Sequence, residues 1–261
     1  MHRYQPIRSL SLISVVVGAL SSPSVWAQNE GDNGTSSTSS WGLGVGITMT
    51  HRPYRDFDNK AAVLPLVTYE NKWVRVFGPS VDVKLPSAGP VAFKLNARYA
   101  LNEGYESSDS SFLRGMDDRK ASVWLGASAS WRTDLATLSA GWRGDASGES
   151  EGQQISLSAE RSFRFGSFGV APRLTATWLD SNYVDYYYGV RDDEARAWRR
   201  QYDGKSAVNT ELALRGSYGL RPNQTVSLDV GITRLGASIR DSPLVDRSTV
   251  PSARLSYLYR F

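Results

Sequence analysis

The 261-residue sequence contains no cysteine and only two histidines, His2 and His51. The absence of cysteine excludes disulfide frameworks, thiolate metal sites, cysteine nucleophiles and iron–sulfur clusters. Two histidines are too few for a histidine-rich zinc or iron site. Beyond the N-terminal stretch, no apolar run reaches the roughly 18 residues of a transmembrane helix, which excludes a bundle of such helices.

The first 27 residues have the three regions of a secretory signal peptide. Arg3 and Arg8 precede an apolar run at 10–20, and Val25 and Ala27 occupy the small-residue positions before a cleavage site. A membrane-anchoring helix is the alternative, but its apolar core would have to be longer. Cleavage after Ala27 removes two arginines and no acid, so the formal net charge falls from +4 to +2. This near balance gives no indication of a nucleic-acid partner.

The segment that follows, residues 28–40, is polar and rich in small side chains. Such a composition lacks apolar anchors and predicts a flexible tether, located in the periplasm. The remaining residues, 41–261, are then a single domain.

From residue 41 onward, apolar and polar residues alternate with a period of two. Trp41, Leu43 and Val45 alternate with glycines, and the same pattern recurs at 91–100, 121–132, 208–218 and 226–233. Strict alternation predicts β-strands with one apolar and one polar face. Several runs reach the 9–11 residues or so that a tilted strand needs to cross a bilayer. A soluble β-sandwich is the alternative, and strands of this length disfavour it.

The connections alternate between short turns and long polar loops. Short turns are predicted at 71–72, 87–89, 133–134, 166–167 and 221–223, and long loops at 51–60, 102–119, 145–152, 181–204 and 237–250. With one further tight turn at 77–79, this arrangement predicts about twelve strands, with ten as the alternative. Short periplasmic turns and long outer loops are typical of outer-membrane barrels. We therefore predict an all-β, antiparallel, up-and-down transmembrane β-barrel in the cell outer membrane.

Aromatic residues concentrate at the predicted strand ends, where amphipathic rings favour the bilayer interface. Those near the turns are Trp41, Trp73, Trp131, Phe163, Phe165, Phe168 and Tyr218, and those near the loops are Tyr99, Trp142 and Trp178. The last strand ends the chain on Phe261 and places Tyr257, Tyr259 and Phe261 on one face. We predict that these three residues are the signal that the barrel assembly machinery recognises.

Groups that could perform catalysis are scarce. A barrel hydrolase needs a histidine base near neutral pH, and only His51 remains after signal cleavage. It would have to act with the acidic pairs at 117–118 or 192–193, and the chain has no Gly-x-Ser-x-Gly elbow or phosphate loop. We predict a protein that is not an enzyme, with no catalytic residue, metal site or cofactor.

The acidic run Asp192, Asp193 and Glu194 could bind Ca²⁺ or the cations that bridge lipopolysaccharide molecules. Its spacing lacks an ordered ligand loop, which favours a solvated acidic turn.

The neighbouring segment, 194–202, could form a short helix with Trp198 and Tyr202 on one face. Its arginines Arg196, Arg199 and Arg200 are predicted to contact lipopolysaccharide phosphates. In the alternative interpretation, Trp198 only packs this loop against the barrel mouth.

Many charged residues fall on the inward face of the predicted strands. They are Lys94, Arg98, Arg132, Arg143, Arg173, Glu211, Arg215, Asp229 and Arg254. Such charges either line a pore or pair into a plug of salt bridges. A barrel of twelve strands is wide enough for a narrow channel, so pore activity is an open alternative.

Several motifs occur along the chain in a fixed order. They are Trp41-Gly-Leu-Gly-Val-Gly46, Leu64-Pro-Leu-Val-Thr-Tyr-Glu70, Leu113-Arg-Gly-Met-Asp-Asp118, Tyr186-Tyr-Tyr-Gly-Val-Arg-Asp-Asp-Glu-Ala195 with Tyr202, Asp241-Ser-Pro-Leu-Val245 and Tyr257-Leu-Tyr-Arg-Phe261. Together they resemble the MipA/OmpV (MltA-interacting protein) family of Gram-negative outer-membrane proteins, over nearly all of 41–261. The most specific part, apart from the terminal strand, consists of Tyr187, Tyr188, Gly189, Val190, Tyr202, Asp241, Ser242 and Pro243. The first long loop, His51-Arg-Pro-Tyr-Arg-Asp56, departs from the family pattern.

The resemblance implies a scaffold, because the family's founding member is described as bridging a murein transglycosylase and a murein synthase at the outer membrane. It implies as partners these two enzymes, the barrel assembly machinery, and outer-membrane lipid and lipopolysaccharide, with no nucleic acid. The expected contact surface is the tether with the turns at 133–134, 166–167 and 221–223. A narrow channel, or an adhesin or envelope-stress sensor at the cell surface, is the alternative function.

Overall fold

The computed structural model describes residues 39–57, 61–101 and 103–261. The predicted signal peptide and residues 28–38 of the predicted tether lie outside these described residues. Ser40, the last residue of the predicted tether, is instead the first residue of the first strand.

One antiparallel sheet contains all the strands of the described chain. They are β1 (Ser40–Thr50), β2 (Ala62–Glu70), β3 (Val74–Phe77), β4 (Ser80–Lys84), β5 (Val91–Tyr99), β6 (Val123–Arg132), β7 (Thr137–Asp145), β8 (Gln153–Glu160), β9 (Phe163–Phe165), β10 (Phe168–Leu179), β11 (Ala207–Arg221), β12 (Gln224–Arg234) and β13 (Thr249–Arg260). Two helices, α1 (Ser181–Tyr188) and α2 (Ala237–Arg240), lie in loops. Neither described helix is long or apolar enough to cross a membrane.

The sheet closes on itself. β1 pairs with β2 on one side and with β13 on the other, where Gly42 lies opposite Arg260. β10 pairs with β11, which completes the ring. Closure leaves no open sheet edge, as a spanning structure in lipid requires.

β8 and β9 are two parts of one barrel strand, because both pair with β10. The interruption falls opposite Pro172 of β10: the Arg161 amide donates to the Pro172 carbonyl at 3.2 Å. Proline has no amide hydrogen to return this bond, so the ladder breaks locally. Counting β8 and β9 together gives twelve strands, which confirms the predicted number and removes the ten-strand alternative.

The apolar face of the strands points outward. Trp41, Leu43 and Val45 of β1 are exposed, whereas Gly42 and Gly46 face inward and are buried. The ten aromatic residues predicted at the strand ends are all exposed. An outer surface of this composition belongs in lipid rather than in water.

The two ends of the barrel differ. One end, here called the turn end, carries the short connections that follow β2, β4, β6, β9 and β11. The other, the loop end, carries the long connections that follow β1, β5, β7, β10 and β12, together with the tight turn between β3 and β4. This is the asymmetry that the sequence predicts.

Candidate functional site: a capped barrel lumen

The long loops fold together across the loop end of the barrel. We call the cap the described residues 51–57, 103–122, 180–206 and 235–248. The buried apolar side chains of the described chain concentrate in the cap and at the strand ends beneath it, in two clusters. One cluster contains Ala100, Trp124, Leu179, Tyr183, Val184, Tyr187, Ala207, Leu235, Ile239, Val245 and Val250, and the other contains Tyr54, Tyr105, Leu113, Met116, Val190 and Leu244.

Helix α1 is the centre of the first cluster. Asp180 precedes it and accepts a hydrogen bond from the Tyr183 amide at 2.9 Å, which caps the helix. Tyr183, Val184 and Tyr187 are buried, at the i, i+1 and i+4 spacing of one helix face. The predicted helix at 194–202 is wrong: that segment turns back on itself through a bridge between Arg196 and Arg199.

The family-motif residues meet inside the cap. Val190 and Tyr202 exchange backbone hydrogen bonds of 2.8 and 3.0 Å. The Ser242 hydroxyl donates to the Tyr188 carbonyl at 2.6 Å, which joins two loops. Gly189 is required by a close approach, because a Cβ there would lie 2.3 Å from the Asp185 carbonyl oxygen.

The other members of the motif lie around this junction. The carbonyl of Pro243 accepts a hydrogen bond from Arg55 Nε at 3.1 Å, while the Asp241 side chain is exposed. The divergent first loop is also part of the cap, since the Tyr54 hydroxyl donates to the Tyr187 carbonyl at 3.1 Å. Three loops of the cap, 51–57, 180–206 and 235–248, are therefore fastened to one another.

A buried ion pair joins two of these loops. Arg119 donates to both carboxylate oxygens of Glu194 at 2.8 Å, and both side chains are almost fully buried. Burial alone would raise the pKa of the Glu194 carboxyl, but the amides of Arg191 and Asp117 and the Arg119 guanidinium donate to it and lower that pKa. The prediction of a solvated acidic turn is therefore wrong for Glu194, although Asp192 and Asp193 are exposed.

The predicted lipopolysaccharide contacts divide into two groups. Arg196 and Arg200 are exposed and remain candidates, but Arg199 is fully buried and donates to the carbonyls of Phe112, Arg114 and Glu194. Arg199 thus cannot reach a lipid phosphate, and its role is to satisfy loop carbonyls inside the cap. The alternative for Trp198 is also wrong, because this side chain is 67% exposed rather than packed on the mouth.

This surface allows a test of orientation. Trypsin applied to intact cells is expected to cut after Arg196 or Arg200 in the exposed part of the cap, because long loops face outward. Arg221, which is exposed at the turn end, should be cut only after the outer membrane is breached. Mass spectrometry of the released fragments distinguishes the sites. Cleavage at Arg221 alone in intact cells would reverse the orientation.

Beneath the cap lies a lumenal cavity of about 320 Å³. Four cap tyrosines, Tyr54, Tyr183, Tyr187 and Tyr188, line its upper part. Burial raises the pKa of Tyr188 to about 12, so its hydroxyl stays protonated near neutral pH. Below them the cavity is lined by charged strand residues, namely Arg98, Arg143, Arg173, Glu211, Arg215, Asp229 and Arg254.

Some of these inward charges form ion pairs. Arg173 contacts Glu211 at 2.9 Å and Glu160 at 3.7 Å, and Arg215 contacts Asp229 at 2.8 Å. Lys94 pairs with Asp82 at 3.0 Å. Arg132 lies at the turn end of β6 and is exposed. Some inward charges are thus paired, as a salt-bridge plug requires. The others line an open cavity, as a pore requires.

Glu103 also lines the cavity, although no sequence pattern marks it as a site residue. Its carboxylate accepts a hydrogen bond from Trp124 Nε1 at 2.7 Å, and burial raises its pKa despite the nearby Arg98. Glu103 falls in a loop, where no alternation of apolar and polar residues marks the inward face.

The groups considered for catalysis do not come together. His51 lines the cavity, yet its side chain has no hydrogen-bond partner among the residues the structure describes. Asp117 is exposed and pairs with Arg191 at 2.9 Å. No cluster of three histidine or acidic side chains suited to a metal ion occurs within residues 39–57, 61–101 and 103–261.

A closed antiparallel barrel with an apolar outer face and a packed loop cap defines an outer-membrane β-barrel protein. The family model described as "MltA-interacting protein MipA" matches residues 43–261, and the chain belongs to this family. It is 27% identical over 222 residues to the MltA-interacting protein of Escherichia coli K12, covering 84% of this chain and 89% of that protein. The putative outer membrane protein YiaT of the same strain is 24% identical over 208 residues, 79% of this chain and 85% of that protein.

Among solved structures, the chain resembles an outer-membrane channel from Pseudomonas putida F1. The TM-score is 0.45 at 15% sequence identity, and the alignment covers 85% of this chain and 95% of that one.

Proposed function

We propose that this protein is a non-enzymatic interaction protein of the outer membrane, which binds a murein transglycosylase and a murein synthase at its turn end. The observation that carries the proposal is the cap: four loops, an ion pair and two apolar clusters lie across the loop end of the lumen. A barrel covered in this way is not built as an open pore. The name of the Escherichia coli relative, MltA-interacting protein, supports a partner of the transglycosylase type.

The turn end offers a contact surface for such a partner. The turn between β6 and β7 exposes Leu135, whose exposed fraction is 70%. The turns at 166–167 and 222–223 lie at the same end. These three turns form the surface on which we expect the murein enzymes to bind, and the proposal also assigns binding to the tether predicted from the sequence.

Two exposed apolar residues at opposite ends of the barrel allow a matched experiment. A photoreactive phenylalanine analogue is placed at Leu135 in one variant and at Trp198 in another. Crosslinking in intact envelopes should capture murein hydrolases or synthases from Leu135 and not from Trp198. Exchange of the three turns should reduce this capture.

Two results would contradict the proposal. Capture of surface or host ligands from Trp198 alone would favour the adhesin reading. Absence of any murein enzyme at Leu135, in a variant that folds normally, would exclude the turn end as the contact surface.

The non-enzymatic part of the proposal predicts that His51→Ala leaves every cellular phenotype of the protein intact. A general base needs an orienting partner, and within the described chain the His51 side chain has none. Hydrolytic activity of the purified barrel is assayed for both forms. If the wild-type barrel hydrolyses a substrate and His51→Ala abolishes this activity, the enzyme reading replaces the scaffold.

The polar cavity favours a second candidate function, a narrow channel that the cap gates. Planar-bilayer recordings separate the two functions. A scaffold shows no conductance above background, whereas a channel shows discrete steps.

A further inference from the structure

The lumenal cavity has a surplus of positive charge. Nine charged residues line it, of which six are arginines and three are acids: Arg52, Arg98, Arg143, Arg173, Arg215, Arg254, Glu103, Glu211 and Asp229. Glu211 and Asp229 are already engaged with Arg173 and Arg215. Of the acids in the described lining, Glu103 is left to balance Arg98 and Arg143. Asp82 of β4 also attracts Arg143, but it already pairs with Lys94.

Arg98 is the residue of this lining that most clearly lacks hydrogen-bond partners. Its exposed fraction is 8%, and its Nε has no hydrogen-bond partner in the described part of the chain. It forms no ion pair there either, although the Glu103 carboxylate is near enough to attract it. A buried guanidinium with unfilled donors is costly unless a ligand completes its hydrogen bonds.

Two other arginines reinforce this site. Arg143 lies close enough to Arg98 for the two charges to repel each other, and its one side-chain hydrogen bond is to Asn96 Oδ1 at 3.3 Å. Arg254, across the lumen, forms no ion pair with the described residues. Asp229 attracts it, and Arg215 and Arg98 repel it. Like charges held together in a buried site indicate that a negative charge is missing between them.

The uncharged residues of the lining indicate the chemistry of the uncharged part of the ligand. Hydroxyl and amide side chains predominate on the strand wall: Thr48, Thr50, Gln154, Ser156, Ser158, Thr175, Thr177, Asn209, Thr233 and Ser252. Thr175 Oγ1 is buried and has no partner among the described groups. A volume of about 320 Å³ lies at the small end of ligand pockets, which range over roughly 300–1,000 Å³.

We propose that the lumenal cavity binds a small, hydroxylated organic anion, with its carboxylate or phosphate group held by Arg98 and Arg143. The guanidinium groups of these arginines supply the planar, paired donors that such oxyanions require. The hydroxyl-rich wall receives the neutral part of the ligand, and the tyrosines of the cap cover it. This site is distinct from the turn-end surface that binds the protein partners.

Glu103 competes with the anion for Arg98. Replacing it by glutamine removes the competing charge and keeps an oxygen that can accept the hydrogen bond from Trp124 Nε1. Glu103→Gln should therefore raise the affinity for the anion about three-fold or more, while Arg98→Gln and Arg143→Gln lower it about ten-fold or more. Opposite effects of neighbouring substitutions cannot both arise from a damaged fold.

Isothermal titration calorimetry on the purified, folded barrel provides the test. The probes are D-gluconate and D-glucose 6-phosphate as anions, with D-glucose as the uncharged control. At least one anion should bind at least about ten-fold more tightly than glucose, since charged hydrogen bonds contribute most. Comparison of the two anions distinguishes a carboxylate site from a phosphate site. Arg234→Gln, an outward-facing exposed arginine of β12, is the matched control and should not change the affinity.

Heat-modifiable migration on gels verifies that each variant is folded. If an arginine variant does not fold, the affinity of Glu103→Gln for the anion and the comparison of the anions with glucose still test the proposal. The proposal is overturned if neither anion binds better than glucose. It is also overturned if folded Arg98→Gln and Arg143→Gln bind the anion as well as the wild type does.

Discussion

Glu194→Ala is expected to unfold the cap while the barrel stays intact. The substitution leaves Arg119 buried without its carboxylate and removes the acceptor for the amides of Asp117 and Arg191. Removing one member of a buried pair costs about 3–5 kcal/mol, a large fraction of what holds a set of loops together. Trypsin digestion of the folded protein should then cut within 103–122 and 180–206 much faster than in the wild type, with the barrel strands still resistant.

Asp193→Ala is the matched control, because Asp193 is adjacent but exposed. It should leave the digestion pattern unchanged. Since the Glu194 pKa is lowered on folding, its contribution to stability is present above the unfolded value near 4.3 and is lost as the pH falls through the lower folded pKa. Relative to an unfolded reference substrate, trypsin should therefore cut the wild-type cap at the same rate at pH 8 and at pH 6. A folded Glu194→Ala protein with wild-type resistance would show that the ion pair does not hold the loops.

Removing the terminal aromatic residue is expected to have the largest effect on the amount of inserted barrel. Phe261 is 73% exposed, its ring lies 5.0 Å from that of Tyr259, and its amide donates to the Trp41 carbonyl at 2.8 Å. Deleting Phe261 or replacing it with aspartate removes an aromatic anchor at the interface and, in our prediction, the signal for the assembly machinery. Heat-modifiable protein in the outer-membrane fraction should fall sharply.

Phe261→Trp is the control, because it keeps a large interfacial ring. This variant should insert at close to the normal level. Normal heat-modifiable folding of Phe261→Asp would show that the terminal residue is not an assembly signal in this protein.

The barrel was predictable from sequence because the relevant pattern is local. Each strand repeats its apolar residue at every second position, and lipid outside and polar groups inside apply the same rule along the whole ring. The number of strands followed from the alternation of short and long connections. The interruption at 161–162 could have been anticipated from Pro172 only once the register of β8 and β10 was known.

The cap was not predictable in the same way, because its contacts join loops far apart in sequence. The Arg119–Glu194 pair and the burial of Arg199 depend on how the loops 103–122 and 180–206 meet, and no periodicity encodes this. Helix α1 did carry a local signal, since Asp180 is a helix-capping residue and Tyr183, Val184 and Tyr187 have helical spacing. The charged run at 194–202 predicts a helix that does not form, and the helix of this loop lies at Ser181–Tyr188 instead. The structure places the family-motif residues within the cap rather than on its outer surface, except for Asp241, whose side chain is exposed.

The pairing of β1 with β13 determines when the barrel can close during assembly. β1 and β13 are the first and last strands of the described barrel in chain order, yet they are hydrogen-bonded neighbours, with Gly42 opposite Arg260. Until these two strands pair, a partly assembled sheet has two edge strands with unpaired backbone groups, and each edge can pair with another protein chain. A contact of such long sequence separation is intrinsically slow to form. The chain therefore has to stay unfolded and bound to a protecting partner until it reaches the outer membrane. The pairing of β1 with β13 is the last step that closes the barrel.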